Sequence, residues 1–320
     1  MMKRNKIVLL MPYFGKLPSY FGAYLKSIEN KLFDVLWISD LLVENSPANF
    51  KTVLMSLEDV RDRMIKTLGT HVVINDGRRL CDFRPMYGQI FSDLIEGYDY
   101  FGWGDCDLVY GDDFNTFLEQ VVLPGEYDAI SLHKDFLTGP TCFLRNNETM
   151  KSLYKKANNW KDVCSFKGNG GVYIFDECGG NFHDKLFSGE MTLEDCSKIR
   201  DSFSAVLWRE AVVNIFREEI INESPLKNGE VVMLKNGHLT IDNKSIPVFH
   251  FVLAKVPRWF QCSQKNCLDG SVVRITRYGF FYGEWEWMTR VCRVWYRVIW
   301  ACVNAIKANG FKHLFKRFFK

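Results

Sequence analysis

Tyr98-Asp99-Tyr100-Phe101-Gly102-Trp103-Gly104-Asp105-Cys106-Asp107-Leu108-Val109-Tyr110-Gly111-Asp112 passes from an aromatic, apolar stretch into two carboxylates one residue apart. The first part reads as a buried strand. Its tip then presents acidic oxygens to a cleft. Hard divalent cations such as magnesium or manganese take oxygen ligands of this kind. A cation held there can neutralise a diphosphate and help it leave. Asp-x-Asp alone also occurs in ordinary acidic turns. Its place after an aromatic strand and before Gly111-Asp112 favours the metal reading.

Outward from this run, strand and helix patterns alternate. Lys6–Met11 is an apolar strand closed by Pro12, and Tyr20–Asn30 has helical spacing. Phe33–Ile38 is a second strand, Ser56–Leu68 a capped helix, and His71–Ile74 a third strand. Pro85–Ile95 and Thr149–Asn159 read as helices, with strands at Asp128–Leu132 and Thr141–Leu144. Farther on, Thr192–Phe216 reads as helical, Val231–Ile241 as a hairpin about Asn236-Gly237, and Pro247–Phe251 as a strand. The pattern predicts an α/β fold with a mixed, mostly parallel sheet flanked by helices. Ligands of such sheets sit beyond the carboxyl ends of the strands. Tyr13, Asp40 and Asp105 all fall just past such ends.

The chain has 320 residues, 47% hydrophobic and 25% charged, enough for a large core and unlike a disordered chain. A net charge of +3 hides an asymmetry. Residues 271–320 carry ten Lys or Arg against Glu284 and Glu286, so this stretch is +8 and the rest −5. We divide the chain into a body, 1–260, and a basic aromatic tail, 261–320. In the tail Trp285, Met288, Cys292, Trp295 and Ile299 form a helical stripe, with Arg290, Arg293 and Arg297 off it. Such a C-terminal amphipathic helix suits an anionic membrane surface, or else packs on the protein's own core. No stretch is apolar enough to span a bilayer. The acidic body and the absence of a recognition motif speak against nucleic acid. Ten scattered cysteines and an N-terminus without a signal peptide point to a reducing, cytoplasmic setting. Cys262 and Cys267 lack an evident fourth zinc ligand and read as unrelated thiols.

Met11-Pro12-Tyr13-Phe14-Gly15, Trp37-Ile38-Ser39-Asp40, Leu80-Cys81-Asp82-Phe83-Arg84-Pro85 and Asp105-Cys106-Asp107 follow one another in the chain. In that order they resemble a GT-A-fold glycosyltransferase, a Rossmann-like fold. The whole resembles a bacterial glycosyltransferase-like family associated with surface-polysaccharide synthesis, over about residues 5–255. The resemblance implies a hexosyltransferase-type enzyme with a nucleotide-sugar donor, usually a UDP-sugar, held by Mn2+ or Mg2+. With the tail, it implies a polyprenyl-diphosphate-linked saccharide acceptor and a peripheral place on the inner face of the cell membrane.

Residue by residue, the resemblance makes Asp82 and Arg84 hold the donor sugar and phosphate, with Arg79 adding charge. Arg is a bidentate clamp for such oxygens, although an Asp cap and a surface ion pair would give the same letters. Tyr13 would stack on the base, and Asp40 would accept from base or ribose. His250 would join Asp105 and Asp107 as a metal ligand, and Lys255 would reach the diphosphate. A histidine on an aromatic strand is otherwise an ordinary core residue. Glu177, then Asp176, are the candidates to deprotonate an acceptor hydroxyl. The competing readings are a sugar nucleotidyltransferase and a non-catalytic saccharide- or membrane-binding module.

Overall fold

Ile7-Val8-Leu9-Leu10-Met11 holds no polar residue because both faces of its strand are covered. Val8 and Leu10 enter one hydrophobic core with Leu36, Ile38, Phe101 and Trp103. Ile7, Leu9 and Met11 enter a second, with Val35, Trp37 and Tyr100. The twofold alternation of a strand thus divides one apolar run between two cores.

The computed structural model describes residues 5–168, 171–227, 229–256 and 272–283, with Val298 alone beyond them. The strands described are β1 (Ile7–Pro12), β2 (Asp34–Ser39), β3 (Phe50–Leu54), β4 (Tyr100–Gly104), β5 (Leu108–Tyr110), β6 (Ala129–Ser131), β7 (Thr141–Arg145), β8 (Ile215–Arg217), β9 (Ile221–Asn222), β10 (Val232–Lys235), β11 (His238–Ile241), β12 (Lys244–Ser245), β13 (Val248–His250), β14 (Val272–Thr276) and β15 (Gly279–Tyr282). The main sheet runs β3-β2-β1-β4-β7-β6-β8. Pairs β2–β3, β1–β2, β1–β4 and β6–β8 are parallel, and β7 lies antiparallel to both β4 and β6. This is a mixed α/β fold with a mostly parallel sheet.

Helices cover both faces. Helix α1 (Phe21–Ile28) lays Phe21, Tyr24, Leu25 and Ile28 on the second core. Helix α2 (Leu57–Leu68) lays Val60, Met64 and Leu68 on the first. Its start is fixed by a capping box in which Ser56 and Asp59 satisfy each other's backbone N–H, and it stops at Gly69, where φ is 64°.

Two smaller sheets complete the body, β5-β13-β9 and β12-β11-β10-β14-β15. The second contains the hairpin expected about Asn236-Gly237. It also extends past the boundary drawn at residue 260. Arg274 lies on β14, between β10 and β15, and is buried. Residues 272–282 are therefore sheet, not helical tail. The amphipathic segment expected from Trp285 onward and the Cys262–Cys267 pair lie outside the described residues.

Three other expectations change. The third parallel strand is β3, not His71–Ile74, which joins no sheet and instead donates from Val73 N–H to the Cys164 carbonyl at 2.9 Å. Within Pro85–Ile95 the α-helix covers only Tyr87–Ile90, preceded by a 3₁₀ segment, Gly77–Met86. Thr192–Phe216 breaks into helices Leu193–Ile199 and Phe203–Arg209, because Ser202 caps the second afresh, and ends in β8.

Gly102 sits at the crowded centre of β4. A Cβ there would meet the Cys142 carbonyl oxygen at 1.9 Å. That atom belongs to the paired strand β7 and cannot swing aside. Gly102→Ala is expected to destabilise by about 1–3 kcal/mol or more, the usual range for overpacking. Chemical denaturation with an unchanged midpoint would refute this.

Candidate functional site

The acidic pair stands where β4 ends. Asp105 N–H donates to the Pro140 carbonyl at 2.8 Å, and the Asp107 carbonyl accepts from Phe251 N–H at 3.1 Å. Between these anchors Cys106 points into the second core. Strand β13 pairs antiparallel with β5, placing His250 opposite Leu108. A residue far along the chain is thereby set beside Asp107. Asp105, Asp107 and His250 each offer a ligand atom, all within 4.8 Å of one another. Two carboxylates and an imidazole suit a divalent cation of the hard-to-borderline class. The donor set fits a metal.

The charges around it are tightly paired. Asp107 accepts from Lys255 Nζ, and its other oxygen lies 3.4 Å from His250 Nε2. Burial pushes the Asp107 carboxyl up, but His250 and Lys255 outweigh it and hold it well below the usual range. Burial likewise opposes charge on His250, yet its bonds to Asp107 and Glu223 raise it to about 10. Glu223 grips His250 at Nδ1, which leaves Nε2 toward Asp107. The second oxygen of Glu223 lies 3.3 Å from His133 Nε2, and His133 Nδ1 lies 2.8 Å from Glu219. A carboxylate behind a ligand histidine fixes its ring and tautomer.

The 3₁₀ segment sorts its side chains by threes, because residues i and i+3 eclipse in that helix. Leu80, Phe83 and Met86 enter the first core. Arg78, Cys81 and Arg84 line the cleft with Asp105 and Asp107. Arg79 and Asp82 form the third face and turn away from it. The expectation that they hold a donor is therefore set against a buried pair that faces the protein interior. They pair with each other at 2% and 0% exposure. Asp82 Oδ1 accepts from Tyr173 N–H at 2.6 Å and Ile174 N–H at 2.8 Å. Arg79 donates to the Val163 carbonyl at 2.9 Å and lies over the rings of Phe83 and Phe166. The pair braces the turn at Ile174, whose φ is 61°.

Arg84 bridges two carboxylates. It donates to Asp105 and, at 3.0 Å, to Asp176. Burial raises Asp176 to about 6 despite Arg84. Asp176 thus stands behind Arg84. Glu177 accepts from Gly139 N–H at 3.0 Å and from His183 Nε2 at 2.6 Å. Burial works against charge on His183, but Cys178 and Glu177 raise it to about 11.

The cleft measures about 300 Å³ and is also lined by Tyr13, Tyr20, Trp37 and Lys255. Tyr13 stacks on Trp37 with centroids 4.8 Å apart. Asp40 is exposed past β2 and is not part of the lining. A larger hollow, about 560 Å³, lies beyond α1 near the β10–β11 turn, where Lys31 and Asp112 pair at 2.8 Å. Its charges satisfy each other, and it holds no cluster of metal-ligating groups among the described residues.

No curated protein matches the chain. A family model described as "Family of unknown function (DUF6625)" matches residues 9–281. The chain belongs to that family. The DUF6625 span includes Asp105, Asp107, His250, Arg84 and Lys255, and stops short of residues 282–320. Among solved structures, the apo form of mouse xyloside xylosyltransferase 1 is similar at 9% identity. The likeness covers 49% of this chain and 71% of that one, with a TM-score of 0.28.

Sequence reasoning singled out neither Arg78, Glu223, His133 nor His183. The period of three in Arg78-x-x-Cys81-x-x-Arg84 was the available signal for the first. The other three are revealed only by tertiary contacts.

Proposed function

We propose that the chain is a metal-dependent glycosyltransferase of the GT-A type. It would move a sugar, of hexosyl type, from a nucleotide-sugar donor such as a UDP-sugar to a saccharide acceptor. The observation that carries this reading is the convergence of Asp105, Asp107 and His250 at a strand end, with Arg78, Arg84 and Lys255 around them. A divalent cation held there, Mn2+ or Mg2+, would supply the charge that lets a nucleoside diphosphate leave.

The chain's own residues have distinct parts. Arg84, fixed between Asp105 and Asp176, offers a rigid fork to donor oxygens. Arg78 is exposed at the rim of the cleft, where it would reach phosphate or hydroxyl groups. Lys255 supplies a second cation beside Asp107. The Tyr13–Trp37 stack offers a ring face to the base. Glu177 remains the candidate to take the acceptor proton, because its side chain is part-exposed whereas that of Asp176 is buried against Arg84. A polyprenyl-diphosphate-linked acceptor, a role in surface-polysaccharide synthesis, and a place on the inner membrane face extend the proposal. They rest on the basic, aromatic sequence of residues 285–320 and on the family likeness. Among the described residues no helix is long and apolar enough to cross a membrane.

The test is release of nucleoside diphosphate from UDP-glucose, UDP-galactose and UDP-N-acetylglucosamine with Mn2+. Slow UDP release that stops with chelator is the expected result. Pyrophosphate release from a nucleotide triphosphate and a sugar phosphate would favour a nucleotidyltransferase instead. No release of either product would favour a binding module.

A further inference from the structure

Phe187 is the one strongly exposed Phe, Tyr or Trp among the described residues, at 58%. A single exposed apolar residue needs no explanation. Its neighbours set this one apart. The ring lies 5.9 Å from Phe136, which is 2% exposed and floors the patch. It lies 6.2 Å from His133 and 6.5 Å from His183. Phe136 in turn touches both imidazoles, at 4.9 and 5.3 Å. Two phenyl and two imidazole rings thus form one uneven plate, tilted by 34–73° to one another, with Phe136 and His133 buried and Phe187 as its exposed face.

The polar rim of the plate is pinned. His133 is held by Glu219 and Glu223, and His183 by Glu177. Half of the Glu219 side chain faces solvent, and Glu177 and His183 are part-exposed. Both sides of the plate lead back to the acidic pair. His133 shares Glu223 with His250. Glu177 holds Gly139, and the next residue, Pro140, accepts the Asp105 N–H. Hydrogen bonds therefore tie the plate to the metal cluster.

We propose that this plate is the acceptor subsite and that it takes a saccharide ring. The inference rests on the transferase reading above. A pyranose has an apolar face of C–H bonds and a rim of hydroxyls. The C–H bonds suit the negative face of an aromatic ring, and the hydroxyls suit carboxylate and imidazole groups already fixed in place. A lipid chain or an apolar peptide would need a broader apolar surface than one exposed ring.

Saturation-transfer NMR with lactose, maltose, cellobiose and N,N′-diacetylchitobiose tests this. The wild-type chain is expected to transfer saturation to the ring protons of at least one disaccharide. Phe187→Ala should weaken that signal by about fivefold or more, while Phe187→Trp keeps it. Because Phe187 is exposed, both variants should keep the wild-type circular dichroism and the wild-type affinity for Mn2+. No saturation of any of the four sugars, or equal saturation by Phe187→Ala, overturns the proposal. The outcome is separable from that of the transferase reading. Disaccharide binding by a wild-type chain that releases no UDP would leave the plate standing and sink the transfer.

Discussion

Asp107→Asn is expected to reduce Mn2+ affinity by at least about a hundredfold and to abolish metal-dependent UDP release. Loss of a second-layer partner alone costs metal sites about 10–100-fold, so loss of a ligand carboxylate costs at least as much. The substitution keeps the size of the side chain and its place between β4 and β5. It removes the charge that His250 and Lys255 both address. Lys255 is about one-third exposed and can turn to solvent, and His250 can release its proton. The fold should therefore survive, with unchanged circular dichroism. Mn2+ binding, read by water-proton relaxation, decides the matter. Affinity within a few-fold of wild type would show that Asp107 is not a ligand.

Much of the site's frame was legible because its signals are local. The run Tyr98–Asp112 announces a buried strand with an acidic tip, and both cores accept that strand as expected. Ser56 and Asp59 mark the start of α2 by their own hydrogen bonds. His250 was singled out by the family resemblance, since an aromatic strand alone suggests a core histidine, and only the β5–β13 register places it beside Asp107. The failures have a common cause. His71–Ile74 looks like a strand since Val72 is buried, but burial under a core needs no ladder. Phe50–Leu54 looks unlike a buried strand because it is an edge, with only Phe50 fully covered. Edges need no apolar alternation. Arg79 and Asp82 were placed with Arg84 by the family resemblance alone, which does not say which way each side chain faces. A period of three separates them cleanly.

That separation predicts a large effect of a different kind. Asp82→Ala is expected to cost stability rather than donor contact. The carboxylate neutralises a guanidinium that is 2% exposed and takes two backbone N–H groups. Removing one partner of a buried ion pair costs about 3–5 kcal/mol, and the two abandoned amides add to it. Whole domains are stable by only about 5–15 kcal/mol. At roughly 2–4 °C per kcal/mol for a large domain, the melting temperature should fall by about 10 °C or more. The damage should also reach the cleft indirectly. A β-branched residue at φ 61° is strained by about 1–3 kcal/mol and holds that shape only while its surroundings impose it. Freed of Asp82, Ile174 can relax, and Asp176 two residues on loses its alignment with Arg84. Replacing both partners by apolar residues, Arg79→Met with Asp82→Leu, should recover part of the lost stability, since the charge problem disappears. A donor ligand would behave in the opposite way. If Asp82→Ala melts within 2–3 °C of wild type but loses donor affinity, Asp82 faces the cleft and the brace is wrong.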